Sequence, residues 1–73
     1  MKYKIRLDTM TDVNNFVKIA TQYPGSIKLT DGENFTVNGK SLLGAMYTVE
    51  WDQIYCVSDH EIYHLIKDFV DEE

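Results

Sequence analysis

Cysteine occurs once in this chain, at Cys56, so no internal disulfide can staple it and no zinc-ligand pattern can be built on thiolates. No apolar run approaches the ~20 residues a membrane span needs. Met1 runs straight into alternating strand residues, with no signal-peptide pattern before them. Cations are scarce: seven Lys and Arg face twelve Asp and Glu, a net charge of −5. Affinity for phosphate backbones comes from clustered cations, so this balance argues against a nucleic-acid partner. Repeats, linkers and low-complexity segments are also missing. These absences leave a single domain over residues 1–73, expected to be soluble, cytoplasmic and monomeric.

What is present is enough for a core. Hydrophobic residues make up 44% and aromatics 12% of the 73 residues, too much for a disordered chain. The charge is unevenly placed. Residues 1–40 carry six Lys and Arg against four acids, a balance of +2, while residues 41–73 carry Lys67 against eight acids, a balance of −7. The acidic half reads as a solvated helix face and a frayed tail, Asp71-Glu72-Glu73.

Strand alternation opens the chain. Tyr3, Ile5 and Leu7 fall on one face and Lys2, Lys4 and Arg6 on the other, a half-buried strand. Thr11-Asp12 offers a cap for a helix whose stripe is Val13, Phe16, Val17 and Ala20, ended by Pro24-Gly25. Ser26–Thr30 alternates again, with Ile27 and Leu29 inward. Thr30–Asn34 reads as a turn with Gly32 at positive φ, and Phe35 and Val37 then point inward. Ser41 to about Thr48 is a short helix. Gln53–Val57 is a fourth strand, with Ile54 and Cys56 sharing a face and Tyr55 on the wet side near Lys4, Arg6 or Lys28. Ser58-Asp-His-Glu61 has capping-box spacing before a last helix striped by Ile62, Leu65, Ile66 and Phe69. The order β-α-β-β-α-β-α predicts an α+β open-faced sandwich, one sheet face under helices and the other wet.

The stretch Thr36-Val-Asn-Gly-Lys-Ser-Leu-Leu-Gly-Ala-Met46, set in that element order, resembles HPr, the histidine-containing phosphocarrier of the bacterial sugar phosphotransferase system. The family pattern there is approximately V-N-x-K-S-[IL]-[ML]-G-[VA]-M. The resemblance implies a four-stranded antiparallel sheet in the order 1-4-2-3. It implies regulatory phosphorylation at Ser41, and docking of partners on Lys40, Leu42, Leu43 and Met46. The partners implied are proteins, a serine kinase or a transcription regulator of sugar catabolism among them, and no cofactor is implied.

The departure is in the family's active loop, approximately G-[IL]-H-A-R-P, whose histidine carries the phosphate. Here the corresponding loop is Asp8-Thr-Met-Thr-Asp12, without histidine, arginine or proline. Phosphoryl transfer needs a nucleophilic imidazole beside groups that stabilise phosphate charge, and Asp8 and Asp12 would repel it. The chain is therefore expected not to be an enzyme but a regulatory or adaptor protein. Two alternatives stay open: a carrier using an unusual acceptor such as Asp12, and an unrelated interaction module on the same scaffold.

Each candidate also has a plain structural role. Ser41 at a helix start caps an orphan amide, worth about 1 kcal/mol. Leu42, Leu43 and Met46 must divide between covering the sheet and forming an exposed patch. His60 and His64 have a spacing that can chelate a metal, but no further histidine completes a site, so a surface pair is expected. Cys56 reads as a small buried hydrophobe.

Overall fold

The computed structural model describes residues 1–71. Strands β1 (Lys2–Ile5), β2 (Ile27–Thr30), β3 (Thr36–Asn38) and β4 (Ile54–Ser58) form one antiparallel sheet in the order β1-β4-β2-β3. Helices α1 (Met10–Gln22), α2 (Leu42–Met46) and α3 (Tyr63–Ile66) complete the α+β open-faced sandwich, with a 3-10 turn, Tyr47–Glu50, after α2. The predicted fold class and strand order are those observed.

The core follows the two periodicities of the sequence. Ile5, Ile27, Leu29, Ile54 and Cys56 are buried from the sheet, and Val13, Phe16 and Ala20 meet them from α1. Lys2, Lys4 and Lys28 stay exposed on the opposite face. Phe16 takes the edge of Phe69 at 5.5 Å between ring centres and 85° between planes. Thr48 is fully buried, and its hydroxyl donates to the Ala45 carbonyl at 2.7 Å, so the polar atom enters the core satisfied.

Local expectations needed four corrections. Thr9, not Thr11, caps α1: its Oγ1 accepts from Asp12 N at 3.1 Å, and Asp12 Oδ2 accepts from Thr9 N at 3.3 Å. Ser58 caps nothing. It ends β4 with its side chain buried, and its hydroxyl donates to the His60 carbonyl. The last helix is accordingly one turn, begun at Ile62, whose N–H donates to Tyr3 Oη at 3.0 Å, while Glu61 Oε2 accepts from Tyr63 N at 2.7 Å. Leu65 is therefore exposed rather than core, and the chain beyond α3 lies along β1, with Val70 bridging Ile5.

Phe35 is the third correction: it is 59% exposed instead of buried. Fourth, the cation over the Tyr55 ring is Lys2, whose Nζ sits 4.5 Å from the ring centre, although Lys4 does lie beside Tyr55 as its partner across the β1–β4 ladder. Of the acidic tail, Asp71 donates its N–H to the Lys4 carbonyl at 2.8 Å, and residues 72 and 73 lie outside the described residues.

Candidate functional site

β3 leads through a tight corner into α2, and that corner fixes Ser41. Asn38 turns the chain twice over: its side-chain Oδ1 accepts from Lys40 N at 2.9 Å and its carbonyl from Ser41 N at 3.1 Å. Ser41 then has extended backbone angles, φ −99° and ψ 123°, and its Oγ accepts from Gly44 N at 3.2 Å. The Ser41 carbonyl accepts from Ala45 N at 2.9 Å, starting the helix. Ser41 is thus the predicted N-cap, half-buried in its corner.

Lys40 departs from expectation. It does not project into solvent: its Nζ donates to the Tyr23 carbonyl and sits 5.7 Å from the centre of the Tyr23 ring. Carbonyls at the end of α1 lack intrahelical partners, and a cation there is favourable. Lys40 therefore ties the β3–α2 corner to the C-terminus of α1 and is not free to contact a partner.

The apolar residues of α2 divide as their spacing requires. Ala45 turns inward and is fully buried, while Leu42, Leu43 and Met46 are exposed, Leu43 at 65%. The exposure continues through Tyr47 and Val49 of the 3-10 turn. Leu42, Leu43, Met46, Tyr47 and Val49 thus stand exposed within one short stretch of chain.

Beyond the turn lies what the sequence reading missed. Phe35 stacks on Trp51, 6.2 Å between ring centres and 18° between planes. These two, with Val37, Tyr47 and Glu50, line an open groove of about 480 Å³. Asp31, Glu33, Glu50 and Asp52 line a neighbouring hollow that shares Trp51 and Glu50 with the groove. Asp31 Oδ1 accepts from the amides of Glu33, Asn34 and Phe35 at 2.9–3.0 Å. Those bonds, the one from Phe35 foremost, hold its carboxyl below the usual range.

The start of α1, where a carrier histidine would stand, is differently furnished. Asp12 Oδ2 accepts from Asp8 N at 3.1 Å as well as from Thr9 N, so the carboxylate occupies amides an anion would need. Arg6 lies close by with Nη2 3.2 Å from Asp8 Oδ2. The cleft here, about 710 Å³, is lined by Asp8, Asp12 and Asp68 as well as Arg6 and Lys18. His60 and His64 follow β4, whose last residue Ser58 donates to the Met1 carbonyl at the opposite end of β1. They do not share a helix: His60 precedes α3, and His64 Nδ1 lies 4.0 Å from Glu61 Oε1. Cys56 is fully buried, and burial pushes its thiol up to about 12.

No family model matches the chain, and neither the curated proteins nor the solved structures give a match. Among the described residues no helix is long and apolar enough to cross a membrane.

Proposed function

We propose that this chain is a non-catalytic docking protein of HPr-like type, acting as a regulator or adaptor related to the bacterial sugar phosphotransferase system. Its working surface is the exposed face of α2 beside Ser41. The observation that carries the reading is the exposure of Leu42, Leu43 and Met46 on a helix whose cap and inner face are fully committed. Such a helix holds its apolar side chains out at a hydration cost, which a partner recovers by covering them. The strand order 1-4-2-3 is consistent with the reading but decides nothing alone, since one scaffold serves many functions.

Ser41 is the proposed modification point. Phosphate there would add negative charge at the start of a helix and displace the Oγ bond to Gly44 N. The aspartates around α1 argue against a carrier role, because Asp12 spends its carboxylate on backbone amides. Lys40 belongs to the docking surface only through its neighbours, as its ammonium is held by Tyr23.

The test has two arms. Intact-mass measurement after incubation with the family's serine kinase and ATP should show one added phosphate, absent from Ser41→Ala. That variant should unfold at lower denaturant, with a loss of about 1 kcal/mol. Capture from host lysate, with partners identified by mass spectrometry, should lose its specific partner in Leu43→Asp. An unmodified Ser41 together with identical capture by both proteins would refute the reading. Phosphate acquired from phosphoenolpyruvate and the general phosphotransferase enzyme, labile to hydroxylamine and lost in Asp12→Asn, would restore the carrier alternative.

A further inference from the structure

The groove at Phe35 and Trp51 has a chemistry of its own. Two stacked aromatic rings, one of them 59% exposed, form its floor, and Tyr47, 62% exposed, stands across it. An exposed stacked pair with open space beside it resembles the aromatic anchors of interface centres, not the edge of a core. Its rim is of one sign. Glu50 lines the groove itself and, with Asp31, Glu33 and Asp52, the adjoining hollow that shares Trp51. No Lys or Arg lines either hollow, and among the described residues no salt bridge reaches Glu33, Glu50 or Asp52. Glu33, Glu50 and Asp52 are exposed and meet no cation among the described residues, while Asp31 spends its carboxylate on backbone amides, so the rim carries negative charge of one sign. A cation brought there meets that charge and can also lie on the face of Trp51.

We propose that this groove binds a cationic segment of a partner protein, which seats an aromatic or aliphatic side chain against Phe35 and Trp51 and sets Lys or Arg against Glu50 and Asp52. The inference deepens the docking reading, on which it rests for the surface continuing from α2 through Tyr47; it adds the chemistry of the partner. Charge complementarity selects the occupant. A second copy of this chain would bring its own net charge of −5 to an acidic rim, and an acidic peptide would add to the repulsion.

Trp51 is the sole tryptophan, so its emission reports the groove directly. The probe is a tryptophan-free peptide of alternating Lys or Arg and Leu with Phe at its centre. Titrated into the protein, it should shift Trp51 emission saturably, and the apparent Kd should rise about tenfold or more between low and high salt. The same peptide with Glu for every cation should give no shift, and one with Ala for every apolar residue should bind at least about tenfold more weakly. Phe35→Ala, and separately Glu50→Lys with Asp52→Lys, should each weaken binding about tenfold or more, with unchanged far-ultraviolet circular dichroism.

Equal binding of cationic and acidic peptides, or no binding of either, would overturn the inference. So would a concentration-dependent dimer in sedimentation that Phe35→Ala abolishes, because the groove would then belong to a second copy. Leu43→Asp separates this outcome from failure of the docking reading. Peptide binding that survives in Leu43→Asp, whose lysate partners are unchanged, upholds the groove while the α2 reading falls. Loss of partners in Leu43→Asp without any peptide binding does the reverse.

Discussion

Tyr23 and Asp59 show how a half-buried tyrosine and an exposed aspartate can set each other's titration. The Tyr23 hydroxyl donates to Asp59 Oδ1 at 2.7 Å, and the same oxygen accepts from Ser26 N at 3.3 Å. The hydrogen bond to Asp59 is the main reason the phenol is pushed up to about 12, and it holds the Asp59 carboxyl below its usual range. The signs follow from which form the fold prefers. Asp59 contributes stability above the ordinary carboxylate range, lost as pH falls through its depressed value. Tyr23 contributes below the ordinary phenol value near 10, and that contribution is lost as pH rises toward 12. Following phenolate absorbance with pH, one of the five tyrosines should therefore ionise last, near 12. Asp59→Asn should return it toward about 10, and Tyr23→Phe should remove the late step. Five indistinguishable phenols would count against the bond. Nothing in the sequence marks this pair, because its members are 36 positions apart. A separation of 17 positions hid Lys40's attachment to Tyr23 in the same way, whereas the Ser41 cap was readable because donor and acceptor are three residues apart.

At the scale of elements, local signals were readable wherever the partner groups were also local. The stripe of α1, its stop at Pro24-Gly25 and the Asp31-Gly32 turn, with Gly32 at φ 87°, all appear where the pattern puts them. The Thr9–Asp12 capping box was also written in the chain, two residues before the position assigned to it. Ser58 misled because its spacing to Glu61 is that of a capping box, but strand pairing took it first: its N–H goes to Met1 and its Cα pairs with Ile27. A tyrosine hydroxyl from β1 then takes the Ile62 N–H, which no local pattern can express, while Glu61 takes the Tyr63 N–H. Gly39 makes the β3–α2 corner possible in a different way. Its N–H donates to the Ile27 carbonyl at 2.9 Å, and a Cβ added to it would lie 2.6 Å from Ile27 Cγ2 and 3.2 Å from that carbonyl. Ile27 is buried and β-branched, so it has little freedom to turn aside. Gly39→Ala should cost about 1–3 kcal/mol by overpacking. Gly32→Ala, strained in its backbone and with its Cβ 3.1 Å from Tyr55 Cε2, should cost about 1–2 kcal/mol. Urea midpoints at unchanged slope measure both. A Gly39→Ala midpoint equal to that of the unaltered protein would mean the corner opens without penalty.

Over the whole molecule, alternation tells which side of the sheet a residue occupies but not whether anything covers it there. Phe35 is the case in point. Leu29 pairs with Val37, and the Asp31 N–H donates to the Phe35 carbonyl, so Phe35 continues the helix-side face as the pattern predicted. The fold leaves it largely uncovered, with Trp51 stacked against it. The centre of the sheet, by contrast, is covered completely, and Cys56 on β4 sits there between β1 and β2 with no exposed surface. Its thiol is inert in the fold for two reasons, absence of access and a thiolate disfavoured by burial. Opening of β4 breaks both of its ladders at once, so exposure of Cys56 should require unfolding of the entire domain. Labelling by a thiol-reactive disulfide under native conditions should accordingly be slower than in denaturant by a factor of about 10³ or more, the span expected of a domain this size. The variants then calibrate each other. Gly39→Ala should speed native labelling by the factor its urea-measured stability loss dictates, about tenfold for each 1.4 kcal/mol. Leu43→Asp, which changes only an exposed side chain of α2, should leave the rate within about twofold. Rapid labelling of the unaltered protein, or acceleration by Leu43→Asp without a matching fall in stability, would show that β4 opens locally and that the core does not unfold as one unit.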